Sequence, residues 1–70
     1  MRSRRIEIAG NPVIRHERTD GAIYYMTRDL MKETNYFIYK VTNKEVMLTG
    51  NAGRSKVDAD MLFNRIVARG

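Results

Sequence analysis

Between residues 57 and 69 the apolar positions recur every three or four places. Ala59, Leu62, Phe63, Ile66 and Val67 fall on one arc at helical spacing. That period predicts an amphipathic helix. Both of its ends are marked. Ser55 stands where an N-cap belongs, with Asp58 three residues later at the capping-box position. Asp58 and Asp60 lie near the positive end of the helix dipole, Arg65 and Arg69 near the negative end, and Gly70 supplies a stop. Val57, Met61 and Ala68 lie opposite the apolar arc, a narrow second strip that a partner could use.

Upstream the period changes to two. Residues 36–42 are rich in aromatic and β-branched side chains, Asn43 and Lys44 suit a two-residue turn, and residues 45–49 return. Alternation puts Phe37, Tyr39 and Val41 on one face and Tyr36, Ile38, Lys40 and Thr42 on the other. Because the second face carries Lys40, it is expected to be open, with Phe37, Tyr39 and Val41 meeting the helix. Earlier still, residues 4–9 alternate with Ile6 and Ile8 inward, and Gly10, Asn11 and Pro12 signal a turn. A strand over residues 13–18 leads to a second turn at Thr19, Asp20 and Gly21, and residues 22–26 continue as a strand. Residues 23–34 have two readings, because Ile23, Met26 and Leu30 also fit a helical spacing: strand then loop, or a short helix. The whole pattern predicts an α+β domain spanning residues 1–70, a small antiparallel sheet of three to five strands packed against one C-terminal helix.

A chain of 70 residues has a thin core, burying only about 60% of its unfolded surface. There is no cysteine, and the single histidine, His16, has no sequence neighbour at ligand spacing. Neither a disulfide, a metal nor a cofactor is therefore expected, and homodimerisation stays open as a way to gain burial. Apolar runs are far shorter than the roughly 20 residues that cross a bilayer. No apolar stretch follows the basic start at Arg2, Arg4 and Arg5, so a secretory signal is not expected and a cytoplasmic location is.

Catalysis is not expected either. No Cys is present, His16 sits in a polar Arg-His-Glu-Arg run, and the helix-start acids Asp58 and Asp60 already have a structural use. Charge is more informative. The net charge is +5, with +3 in residues 1–18, +2 in residues 54–70 and balance between them. That asymmetry suits a polyanionic partner, and equally a basic protein made soluble by its charge. Residues 50–56 join a strand to a helix start and combine two glycines with Arg54, Ser55 and Lys56. Such a segment can hold a phosphate on free helix N–H groups, although it lacks the Walker A spacing. It also reads as a plain solvated connection. Tyr36 and Lys40 share a strand face, where aromatics and cations can meet nucleic acid.

Residues 36–40, Asn43, residues 45–49, Ser55, Lys56, Ala59 and Ile66 resemble the YegP-like family of small bacterial domains of unknown function. Through Gly50, Gly53, Ser55, Lys56 and Ala59 the same region is similar to the end of double-stranded-RNA-binding domains, in which the loop and helix start meet phosphates. Val57 stands where that family has a second lysine. Residues 36–40 also resemble the central strand of integrase arm-type DNA-binding domains, whose sheet enters the major groove. All three likenesses share three strands followed by a helix, so they imply a fold more than a function.

Two functions follow as expectations. One is a small nucleic-acid-binding module, DNA or RNA, with Arg54, Ser55 and Lys56 on phosphate. Lys40 and Tyr36 would lie on the open face, with Arg2, Arg4 and Arg5 as a flexible basic arm, residues 1–4 being its flexible part. The other is a bacterial or phage protein-interaction module or small regulator that docks through a sheet edge or through Met61 and Val57 on the helix.

Overall fold

The computed structural model describes residues 7–8, 10–29 and 35–69. Five antiparallel strands follow one another across a single sheet: β1 (Glu7–Ile8), β2 (Asn11–Thr19), β3 (Ala22–Asp29), β4 (Asn35–Val41) and β5 (Val46–Gly53). One helix, α1 (Lys56–Arg69), completes the chain. The α+β architecture expected from the periodicity is the one observed. Sheet neighbours are also neighbours in sequence, so each pairing closes through a short connection. Asp20 and Gly21 make the two-residue turn between Thr19 and its partner Ala22, and Gly21 takes φ = 92°, which only a residue without a Cβ adopts freely. The β4–β5 turn is tied by Thr42. Its N–H donates to the Glu45 carbonyl at 3.0 Å, and its Oγ1 accepts from the N–H groups of Lys44 and Glu45. Residues 23–29 are strand, which removes the helical alternative there, while residues 30–34 lie outside the described part.

The helix packs on one face of the sheet. Its Ala59 and Phe63 are fully buried against Ala22, Tyr24 and Met26 of β3 and Tyr36 and Ile38 of β4. Leu62, Ile66 and Val67 complete the contact, as the helical arc predicts. The face assignment of β4 is the reverse of the sequence expectation. Tyr36 and Ile38 are buried beneath the helix, whereas Phe37, Tyr39 and Val41 point to the other side and are only half-buried. The reason lies in Lys40. It sits near the hairpin end of β4, opposite Met47, where a long aliphatic stem can leave the core and carry its ammonium to water. One cation at the rim of a face does not make the face polar.

The second departure is in β5. Residues 50–53, expected to be loop, continue the strand, with Gly50 opposite Ile38, Asn51 opposite Phe37 and Gly53 opposite Tyr36. At Gly50 the helix side chains come close to the strand backbone. A Cβ placed there would lie 2.9 Å from Ile66 Cδ1 and 3.1 Å from Leu62 Cδ2. Glycine thus sets the distance between sheet and helix. Gly50→Val should force the two apart and cost about 1–3 kcal/mol, the usual range for overpacking. Chemical denaturation measures it, and an unchanged midpoint would show that Leu62 and Ile66 repack freely.

Candidate functional site

The helix start is built as a cap. Ser55 Oγ accepts the Asp58 N–H at 3.2 Å, and the Ser55 carbonyl accepts the Ala59 N–H at 2.9 Å. Lys56 Nζ donates to Asp60 Oδ2 at 3.0 Å, one helical turn on. Asp60 also receives Arg15 from β2: Nη1 reaches Asp60 Oδ1 at 3.0 Å and Nη2 reaches Asn64 Oδ1 at 2.6 Å. The Arg15 guanidinium carbon lies 4.4 Å from the centre of the Phe63 ring. Arg15 therefore clasps the helix from the β2 side, by an ion pair, a hydrogen bond and a cation–π contact together. Neither its length nor its position in a polar run announces this role.

These contacts bear on the residues expected to hold phosphate. The Ser55 oxygen is occupied by a backbone N–H, the Lys56 ammonium is paired with Asp60, and Arg54 is likewise not free. Arg54, Ser55 and Lys56 lie at the Gly53 end of the sheet. Lys40 lies near the other end of β4, four residues or roughly 13 Å from Tyr36, the partner of Gly53. Tyr36 is in the core, so its place on an open face is corrected. Arg4, Arg5 and the basic arm at residues 1–4 lie outside the described part. Met61 and Val57 are exposed, at 58% and 67%, on the solvent side of the helix, and no apolar neighbours extend that strip beyond the small Ala68.

A larger apolar surface lies on the side away from the helix. Cross-strand pairs share a face, and two rows result. His16, Tyr25, Tyr39 and Leu48 form one, Arg18, Ile23, Val41 and Val46 the other. The His16 and Tyr25 rings lie 6.1 Å apart, and His16, Glu17, Arg18, Ile23 and Tyr25 line a shallow depression at the β2 side. Phe37 continues the surface towards Thr27, which is buried. At the opposite margin runs the edge strand β5, with Val46 58%, Met47 45% and Leu48 55% exposed. Three consecutive large apolar side chains on an edge strand are unusual, because unpaired N–H and C=O groups beside them invite another strand.

The two sheet edges are built differently. Beyond Asn11 and Pro12, β2 has no outer neighbour among the described residues, and there it carries the exposed His16, Glu17 and Arg18 and a bulge between Val13 and Arg15. Charge, proline and bulge are the devices that blunt an edge. Residues 46–48 carry neither charge nor proline, and the nearest register shift of β5 falls just after them, at Thr49.

Among the described residues no group of side chains could hold a metal, and no helix is long and apolar enough to cross a membrane. Comparison with known protein families, characterised proteins and solved structures finds no match for the chain. The surface is therefore read from its own chemistry.

The Asp60 cluster carries a pH dependence. The Lys56 ammonium first, and then the Arg15 guanidinium, hold the Asp60 carboxyl below the usual carboxylate range, against an opposing push from desolvation. A lowered folded-state value means the stabilisation is complete above the ordinary carboxylate value, near about 3.9, and is lost as pH falls through the lowered one. Asp60→Asn should thus be less stable than the parent at neutral pH and level with it in strong acid. Thermal unfolding at both pH values tests this, and a gap that persists in acid would remove the carboxylate charge from the account.

Proposed function

We propose that the chain is a protein-interaction module whose working surface is the β5 edge together with the adjoining open face of the sheet. The observation that carries the reading is the run Val46, Met47 and Leu48, exposed on an edge strand, with Val46 and Leu48 continuous with Val41 and Tyr39 on the open face and Met47 on the helix face opposite Lys40. With Ile23 and Tyr25 beside them, Val46, Leu48, Val41 and Tyr39 make an apolar patch on the open face, and contiguous exposed apolar surface marks a contact site. The patch is aliphatic as much as aromatic. Val41, Val46, Leu48 and Ile23 gain from burial against other apolar groups, and they offer a nucleic-acid base neither a stacking plane nor a charge.

Nucleic-acid binding through residues 50–56 has less support. Its hydroxyl is a cap, the Lys56 cation is an internal ion-pair partner, and Lys40 is at the far end of β4. A phosphate would have to displace Asp60 from Lys56, giving up one charge-assisted contact to make another.

The two readings separate by mutation. Tagged parent protein is used to capture partners from extract of its own host, alongside Leu48→Lys and the double variant Arg54→Ala, Lys56→Ala. A fluorescence anisotropy titration with short duplex DNA, single-stranded DNA and duplex RNA runs in parallel. Partners lost with Leu48→Lys and kept by the double variant are the expected result. Salt-sensitive nucleic-acid binding that the double variant abolishes and Leu48→Lys leaves intact would overturn the proposal in favour of phosphate contact.

A further inference from the structure

We infer that the occupant of the β5 edge is a second copy of this chain, paired antiparallel about a two-fold axis through Met47. The inference rests on the interaction reading above and names its partner. The register follows from the hairpin. Thr42 and Glu45 are a hydrogen-bonded pair, with the Thr42 N–H on the Glu45 carbonyl. Bonding alternates along an antiparallel ladder. Lys40 and Met47 therefore exchange hydrogen bonds, and the pairs Val41–Val46 and Tyr39–Leu48 do not. It follows that Val46 and Leu48 turn their own N–H and C=O groups to the free edge, two residues apart, the spacing a partner strand requires.

A second β5 meets that pattern with its own. Centred on Met47, the register sets Val46 against Leu48 of the other copy, Leu48 against Val46, and Met47 against itself. Four backbone hydrogen bonds form, and every apolar side chain of the run meets another. Charge agrees with this register. Glu45 falls opposite Thr49 of the other copy and Lys44 opposite Gly50, so no like charges face each other. The β2 edge is a poor alternative partner for β5, because it would set Glu17, Arg18 and His16 against Val46, Met47 and Leu48. Such a head-to-tail contact would also leave a free edge at each end and propagate, whereas the two-fold pairing uses each β5 once and closes. The result is one sheet running through both copies, with the rows that contain Tyr39 and Val41 extended across the axis.

The core gives a reason for such an arrangement. Among the described residues seven apolar side chains form it, drawn from β3, β4 and α1, and the chain has no cysteine to reinforce them with a disulfide. Small domains of this kind gain by association what they lack in interior.

The absence of cysteine from the chain makes the register directly testable. At a non-hydrogen-bonded pair the Cα atoms lie about 4.5 Å apart, within the roughly 4.4–6.8 Å that a disulfide spans. Met47→Cys should link to its own copy under mild oxidation much faster than Val57→Cys, a control on the exposed side of the helix. Sedimentation equilibrium should show a dimer of the parent that dissociates on dilution, and Leu48→Lys should be monomeric with an unchanged circular dichroism spectrum. A parent that stays monomeric while Met47→Cys links no faster than the control overturns the inference, as does a dimer indifferent to Leu48→Lys. If that monomer still loses captured partners through Leu48→Lys, the self-pairing fails and the interaction reading stands; if it loses none, both fall.

Discussion

A helix about 10 Å across lies on a sheet whose four long strands span roughly 14 Å between their outermost axes. It cannot cover them evenly, so the fold depends on how the helix is seated. On the β5 side the solution is to remove a side chain. Gly50 lets Leu62 and Ile66 approach the strand backbone. On the β2 side the solution is to send one across, and Arg15 reaches Asp60, Asn64 and the Phe63 ring. Between these two supports Phe63 and Ala59 drop onto Tyr24, Met26 and Ile38, and the core closes. No described buried polar side-chain atom is left without a partner.

The same constraint determines what the rest of the surface can be. Asp60 must hold Arg15 in place, and Lys56 shares that carboxylate. Two of the basic groups near the helix start and the β2 side are therefore part of the support, and they contribute less to an external field than the formal charge suggests. An exposed pair of this type is worth little on its own, but the two cations, Arg15 and Lys56, act together on one carboxylate. A single helix also leaves the second sheet face without a cover among the described residues, and that face holds Tyr25, Tyr39, Val41 and Leu48.

Much of the scaffold was legible in the sequence. The period of the final segment, the Ser55 cap and the inward set from Ala59 to Val67 are all where the pattern puts them, since a helix with one buried stripe leaves a periodic trace. The strands were legible too, though not their faces. In β4 both faces are apolar, Tyr36 and Ile38 on one and Phe37, Tyr39 and Val41 on the other, so alternation by itself has no sign. Lys40 supplied a sign and it was the wrong one. Gly50 and Gly53 read as loop because glycine is rare inside strands, whereas here close helix approach requires the first and a bulge at the strand end accommodates the second. The Arg15 clasp joins positions 45 and 49 residues apart, and no local pattern reports a contact of that range. The same limit explains the candidate surface. That residues 46–48 lie on an edge is a property of strand order, which period-two alternation does not encode.

Edge and face together favour a protein partner on energetic grounds. Backbone pairing along β5 gives direction and register, yet each such bond only replaces one made to water and adds about 1 kcal/mol. Affinity has to come from desolvation of Val46, Met47 and Leu48, and a phosphate backbone offers nothing apolar to exchange for that water. A strand with matching side chains does. Because such a partner binds only the folded sheet, its binding energy also stabilises a thin core by mass action. With seven apolar residues in the described core, the proposed association would make binding and folding stability two expressions of one equilibrium. An edge strand kept bare of charge is what makes that coupling available.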